Sequence, residues 1–129
     1  MTGGFGVIVG GRDLARYSKE QIHDACVVQW QAEMQASLYW PGKRQSSTPW
    51  VPPQWTAWLL MEKAGMPRDL IAYVCHVDPR ALRKRLLVTT ALMLFPPYAA
   101  RIEALMHAMP RFGATQLPAL RPVREAQWV

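Results

Sequence analysis

The chain has 129 residues, of which 50% are hydrophobic, and a formal net charge of +6 at pH 7. This length and composition predict one compact domain and exclude a wholly disordered chain, and the positive charge favours acidic partners such as nucleic acid or an anionic membrane. No apolar run reaches the roughly 18 residues that a membrane span needs, and the start lacks the basic region of a signal peptide, so we expect a cytoplasmic bacterial or viral protein with no membrane partner.

Residues 1–17 contain five glycines and few helix-forming residues. The stretch FGVIVGG fits a short strand, an arm docked on a partner or a disordered tail. Because termini are ordered only when they are tied down, we predict a flexible or docking arm over residues 1–17. The stretch lacks the Gly-Lys-Ser/Thr sequence that holds nucleotide phosphates, which argues against a phosphate-binding loop.

The first predicted helix begins at Ser18, which forms a capping-box sequence with Gln21. Hydrophobic residues then recur at every fourth position: Ile22, Cys26, Trp30 and Met34. We predict that this stripe, which continues to about Ser37, faces the core.

Residues 39–53, YWPGKRQSSTPWVPP, contain four prolines and a glycine and predict a loop. Long loops are often functional, and the basic pair Lys43 and Arg44, with Gln45 beside it, is a candidate contact for phosphates or a minor groove. Two tryptophans flank these residues: Trp40 and Trp50. We expect them either to hold the loop against the body or to contact a nucleic-acid backbone or a partner.

Pro53 in a first turn and Gly65 as a C-terminal cap predict a second helix. Its tryptophans, Trp55 and Trp58, are predicted core residues, as is Trp30 of the first helix. A short third helix is predicted over PRDLIAYVC, residues 67–75. Its residues predicted to face inward are Leu70, Ile71 and Val74.

After the tight break HVD, Asp78 is the predicted N-cap of a fourth helix, with Pro79 in its first turn. Its predicted buried stripe is Leu82, Leu86, Thr89 or Thr90, and Met93. Pro97 opens a fifth helix that ends near Met109, and the prolines of residues 110–129 predict an irregular tail. The predicted fold is all-α, with about five helices in a domain over residues 18–109.

The third and fourth helices, separated by about three residues, have the layout of a helix-turn-helix. In that motif the N-terminal turns of the second helix enter the major groove of DNA. Arg80, Arg83 and Lys84 share one face of the fourth helix at i, i+3 and i+4, apart from the apolar Leu82 and Leu86. We predict that this face contacts double-stranded DNA, which implies a nucleoid-associated protein. The alternative is a solvated helix face.

The predicted DNA-contacting residues extend beyond that face. Arg85 is expected to meet phosphate, and Asp78 is expected to cap the helix or to accept from a cytosine amine. The full predicted set is Lys43, Arg44, Gln45, Arg68, Asp78, Pro79, Arg80, Arg83, Lys84 and Arg85.

Four stretches, KEQIHDACVVQW, PGKRQSS, PPQWTAWLLMEKAG and MPRDLIAYVCHVDPRALRKRL, follow one another from about Lys19 to Thr90. In order and spacing they resemble the C-terminal DNA-binding domain (domain IV) of the bacterial replication initiator DnaA. The resemblance implies a Trp-repressor-like helix-turn-helix fold. It also implies a stand-alone DNA binder of the kind found in phage-derived transcriptional regulators, including activators of gene transfer agents.

The base-contacting positions depart from the DnaA pattern. Asp78 falls where that family has its Asp, but Pro79, Arg80 and Ala81 replace the His-Thr-Thr with which the family contacts bases. The resemblance therefore implies a recognised sequence other than the usual initiator box. The resemblance also places Lys43 and Arg44 near the arginine with which the family contacts the minor groove.

Other chemistry has weaker support in the sequence. A zinc site of two cysteines and two histidines is conceivable: His23, Cys26, Cys75 and His76. Adjacent Cys-His ligands and the absence of a Cys-x-x-Cys pair argue against it, and two cysteines in apolar runs predict buried thiols in a reducing compartment. The acidic residues are scattered and no nucleophile elbow is present. We expect no enzyme, no metal and no cofactor.

The competing function is a helical adaptor that binds RNA polymerase or another regulator without contacting DNA. It would use the apolar N-terminal arm, the Trp-rich loop and the tail. Trp128, near the end of the tail, is a candidate anchor for such a partner.

Overall fold

The computed structural model describes residues 8–9, 12–13, 17–39 and 51–113. The α-helices of this part of the chain are α1 (Lys19–Tyr39), α2 (Pro53–Lys63), α3 (Arg68–Val74), α4 (Pro79–Ala91) and α5 (Pro96–Ala108). A 3₁₀ helix, Leu92–Leu94, joins α4 to α5. Near the N-terminus β1 (Ile8–Val9) pairs antiparallel with β2 (Arg12–Asp13). The predicted all-α fold with five helices is confirmed. The strand pair begins inside the stretch FGVIVGG, for which a short strand is one of the expected structures.

Helix α1 begins with the predicted capping box. The Ser18 backbone N–H donates to Gln21 Oε1 at 2.8 Å, and the Gln21 N–H donates to Ser18 Oγ at 3.1 Å. Each side chain therefore satisfies a backbone donor that the first turn of a helix leaves without a partner.

The inward face of α1 is not the predicted one. The residues of this helix with 1% exposure or less are Ala25, Val28, Ala32 and Ala36. By contrast Trp30 is 60% exposed, Met34 37% and Leu38 68%. The predicted stripe is therefore wrong beyond the half-buried Ile22, and Trp30 is not a core residue. The distance between packed helices depends on the side chains at the contact, so a face of small residues lets α1 lie close against α2 and α3.

The two thiols also differ from the prediction. Cys26 lies on the outer side of α1 and is exposed, whereas Cys75 is half-buried at the end of α3. Burial, with a smaller contribution from the charge of Glu33, raises the pKa of the Cys75 thiol to about 12. The prediction that both thiols are buried is wrong for Cys26.

Helix α2 is the centre of the bundle, because it contacts α1, α3, α4 and α5. Six consecutive residues, from Thr56 to Met61, are buried. Trp58, a predicted core residue, is 2% exposed, while Trp55, also predicted to lie in the core, is half-buried. The hydroxyls of Thr56 and Tyr98 form a hydrogen bond of 2.8 Å that joins α2 to α5, and burial raises the pKa of Tyr98.

Helices α2 and α3 end with the same backbone motif. Gly65 has φ +103°, and the Met66 N–H behind it donates to the Met61 carbonyl at 3.1 Å. His76 has φ +55°, and the Val77 N–H donates to the Ala72 carbonyl at 3.0 Å. Both are Schellman endings, which confirms Gly65 as the predicted cap and places a histidine at the second left-handed position.

The inward stripe of α4 follows the prediction. Leu82, Leu86 and Thr89 are buried, Met93 is half-buried and Thr90 is exposed. The Thr89 hydroxyl donates to the Arg85 carbonyl at 2.8 Å, which satisfies its only donor inside the helix. Helix α5 begins one residue before the predicted Pro97 and ends one residue before the predicted Met109.

The residues just before α1 and just after α5 are hydrogen-bonded to the bundle. The Tyr17 hydroxyl donates to Asp69 Oδ1 at 2.8 Å. After α5, the Phe112 N–H donates to the Ala64 carbonyl at 2.9 Å, and the Gly113 N–H donates to the carboxylate of Asp24. Burial raises the pKa of Asp24, and the hydrogen bond from Gly113 opposes that shift. The bundle thus includes Tyr17 at one end and Gly113 at the other.

Within the described residues, no helix combines the length and the apolar character that crossing a membrane requires.

Candidate nucleic-acid interface

The site is built on the corner formed by α3, a four-residue turn over residues 75–78, and α4. The left-handed backbone of His76 reverses the chain, and both helices pack against α2. Asp78 Oδ2 accepts from the N–H groups of Arg80, at 3.0 Å, and Ala81, at 3.3 Å, while Pro79 occupies the first helical position. The predicted N-cap is confirmed, and the cap fixes where the outward side chains of α4 begin.

Three cations project from the first two turns of α4. Arg80, Arg83 and Lys84 are all exposed, whereas Leu82 and Leu86, on the inward side of the helix, are 1% and 0% exposed. We call these three residues the cation face. No carboxylate of the described residues forms an ion pair with any of them.

The cation face carries an unfavourable electrostatic energy in the isolated protein. Arg80 and Lys84 are a like-charged pair at i, i+4, and Arg80 and Arg83 are one at i, i+3. Such pairs destabilise a helix by about 0.2–0.5 kcal/mol each. A bound polyanion would reverse the sign of this contribution, which is why three unpaired cations in this arrangement suit a phosphate-rich partner better than they suit the free protein.

Arg85 lies apart from the cation face and contacts the core helix. Its guanidinium carbon is 5.5 Å from the ring centre of Trp55 and 6.0 Å from that of Trp58, both on α2. These distances are within the range of cation–π attraction. Arg85 therefore holds α4 against α2, and its predicted contact with phosphate stays a prediction.

Arg68, at the first position of α3, forms an ion pair with Glu62 of α2, and its side chain is 51% exposed. The structure therefore places this predicted DNA contact on the α2–α3 connection, with its charge partly compensated. The remaining predicted contacts and their flanking tryptophans lie outside the described residues: Lys43, Arg44, Gln45, Trp40 and Trp50.

Exposed hydrophobic residues form the part of the surface that the sequence prediction missed. Trp30, Met34 and Leu38 run along the outside of α1, and we call them the outer stripe. Leu87, 74% exposed, lies on α4 one turn beyond the cation face. The series Ala25, Ala32 and Ala36 was the available signal that α1 faces inward with its small residues instead.

No group of three or more His, Cys, Asp and Glu side chains in the described residues is arranged to hold a metal ion. An open groove of about 610 Å³ lies between α2 and α5, and its lining contains Lys63, Glu103 and apolar residues. This lining contains no serine, threonine, cysteine or histidine.

Comparison with known proteins gives no match to any protein family, to any curated protein or to any solved structure. The function of this chain is therefore inferred from the geometry and charge of its own residues. The feature with the most specific chemistry is the Asp78-capped helix with its cation face.

Proposed function

We propose that the protein is a sequence-specific regulator of transcription that binds double-stranded DNA through the α3–α4 corner. The observation that carries the proposal is the cation face, which is exposed, unpaired among the described residues and confined to the first two turns of the capped helix. In helix-turn-helix proteins the N-terminal turns of the second helix contact base edges in the major groove.

The three side chains have different expected roles. Arg80, in the first turn, and Arg83, one turn later, have planar guanidinium groups that donate two parallel hydrogen bonds, which suits the O6 and N7 atoms of guanine. Lys84 carries a compact charge that suits phosphate. Phosphate contacts fix the position of the helix, and base contacts supply the sequence preference.

The biological setting is proposed on the sequence pattern. The resemblance to DnaA domain IV supports a DnaA-like stand-alone module that activates phage-like or gene-transfer-agent genes. The replacement of His-Thr-Thr by Pro79, Arg80 and Ala81 supports a target other than the initiator box. Chromatin immunoprecipitation in the native host tests this setting directly.

The DNA-binding proposal is tested by fluorescence anisotropy with labelled duplex DNA at several salt concentrations. We expect the affinity for random duplex to fall steeply with salt. The triple variant Arg80→Ala, Arg83→Ala, Lys84→Ala should have a slope of log K against log [salt] that is shallower by about 3, because each phosphate contact contributes about 0.9. A side chain of the three that contacts a base in a selected duplex should contribute less to the salt slope in that duplex, because a base contact neutralises no phosphate.

A matched control for this experiment is Lys63→Ala. Lys63 is an exposed cation at the end of α2, outside the cation face. The Lys63→Ala variant changes the net charge by one but should leave the salt slope of DNA binding unchanged. Identical isotherms for the wild type and the triple variant would contradict the assignment of the cation face.

The second candidate function, a helical adaptor, is favoured by the outer stripe. A tryptophan, a methionine and a leucine at every fourth position of an exposed helix face are typical of helix surfaces that bind other proteins. Binding of the chain to RNA polymerase or to a second regulator, lost in Trp30→Ala and unchanged in the triple α4 variant, would support it. The two proposed functions use different surfaces of the protein, so Trp30→Ala tests the adaptor and the triple α4 variant tests DNA binding.

A further inference from the structure

Leu87 is the most exposed large hydrophobic residue of α4, and neither the core nor the cation face accounts for it. It is 74% exposed, so its side chain adds little to the buried core. A single exposed leucine is ordinary on a protein surface. Its position is what makes Leu87 informative, because it follows Arg83 by four residues and Lys84 by three.

The four residues form one continuous line on the helix. Arg80, Arg83, Lys84 and Leu87 occupy positions i, i+3, i+4 and i+7, which lie on the same side of an α-helix. The line is about 10 Å long, since each residue advances the helix by about 1.5 Å. A helix that lies in a major groove can present side chains at this spacing to successive base pairs, as the third helix of homeodomains does.

The chemistry of the line restricts what it can bind. Its three cations favour a polyanion as the partner, whereas Leu87 favours an apolar group on the same partner surface. Among the groups that B-DNA exposes in the major groove, the apolar one is the C5-methyl group of thymine. A leucine flanked by two cations on one side fits this pair of requirements, because phosphates and a methyl group are then met by one helix face.

We propose that Leu87 is a specificity-determining residue that contacts a thymine methyl group in the major groove, two turns along α4 from Arg80. The inference rests on the proposed function and deepens it by assigning one base type to one position. The bound DNA then contains a thymine on the side of the site that the later turns of α4 reach.

The test begins with duplexes that the wild-type chain selects from a random library. Each thymine of a selected duplex is replaced in turn by deoxyuridine, which differs from thymidine only by the methyl group. Wild-type protein should lose affinity about fourfold at one thymine, the effect of one buried methyl group. The Leu87→Ala variant should bind the unmodified duplex about fourfold more weakly than wild type does. That variant should also be indifferent to deoxyuridine at the same thymine.

The matched control is Leu94→Ala. Leu94 is 83% exposed and lies on the 3₁₀ helix after α4, outside the line. Its variant should keep the deoxyuridine effect in full, and thermal melting by circular dichroism checks that both variants fold as the wild type does.

The outcomes separate this inference from the proposed function. Enrichment of specific duplexes, with equal deoxyuridine effects in wild type and Leu87→Ala, overturns the role of Leu87 and leaves the DNA-binding proposal standing. Failure to enrich any duplex overturns both.

Discussion

The outward faces of α1 and α4 contain opposite chemistry. Arg80, Arg83 and Lys84 face outward on α4, and on that helix the predicted orientation agrees with the structure. Trp30, Met34 and Leu38 face outward on α1, where the predicted orientation is inverted. Burying an unpaired charge costs far more than exposing a hydrophobic side chain. A cluster of cations therefore shows which side of a helix is outside, whereas a row of large hydrophobic residues shows only that the helix has an apolar side.

The difference also bears on function. On α1 the small inward residues complete the bundle, so the outer stripe is not needed for packing against α2 and α3. On α4 the inward leucines complete the bundle, so the cation face is not needed for packing either. Each helix has a second face that the described fold leaves open, one apolar and one cationic. We expect these faces to have different partners.

The largest expected effect compares two tryptophans. Trp58→Ala should lower the free energy of unfolding by about 3–5 kcal/mol, because it leaves a cavity beneath α4 in the centre of the bundle. Trp30→Ala should change it by less than about 0.5 kcal/mol, as for other exposed positions. Urea denaturation followed by circular dichroism measures both. Similar losses for the two variants would mean that Trp30 is covered and that the outer stripe does not exist as described.

A second variant tests the same orientation of α1 from the opposite face. Ala32→Leu adds volume where α1 meets α2 and α3, and should cost about 1–3 kcal/mol of stability through overpacking. If α1 buried its large residues instead, Ala32 would be exposed and the substitution by leucine would leave the stability unchanged. Full stability of Ala32→Leu in the same urea measurement would show that the small-residue face is not inward.

Two arginines of α4 separate binding from packing. Arg80→Ala should weaken binding to a selected duplex by about 1–3 kcal/mol if Arg80 contacts a base, with little change in stability. Arg85→Ala should reduce stability by about 0.5–1 kcal/mol through loss of the contacts with Trp55 and Trp58, and should affect DNA binding less. Parallel anisotropy and denaturation measurements decide this. An Arg85→Ala variant that loses more affinity than Arg80→Ala would move the DNA contact to the other side of α4.

The last pair of variants concerns the turn that orients α4. His76→Val should cost about 1–2 kcal/mol, because a β-branched residue is strained at φ +55°. His76→Gly removes the steric cost but loosens the unfolded chain, so its net effect should be a gain of no more than about 1 kcal/mol. Thermal unfolding of the two variants gives the sign. Equal stability of both would mean that the backbone at this position is not held in the left-handed region.

The sequence predicted the ends of the helices more accurately than their sides. The Ser18–Gln21 capping box, the Gly65 ending and the Asp78–Pro79 start are all where the sequence indicated. Such signals depend on hydrogen bonds within a few residues, so they are local properties of the chain. The positions of Arg68 and Arg85 were not predictable in the same way, because their partners Glu62, Trp55 and Trp58 lie on another helix.

The sequence by itself determined that this protein is helical, where its helices start and stop, and that one helix presents cations to solvent, since each follows from local bonding or from the cost of burying charge. The tertiary structure alone decided that α1 turns Ala25, Ala32 and Ala36 inward and Trp30 outward. The physical reason is the space available: α2 already fills the centre of the bundle with Trp58, Leu59 and Met61, and only a face of small residues can approach it closely.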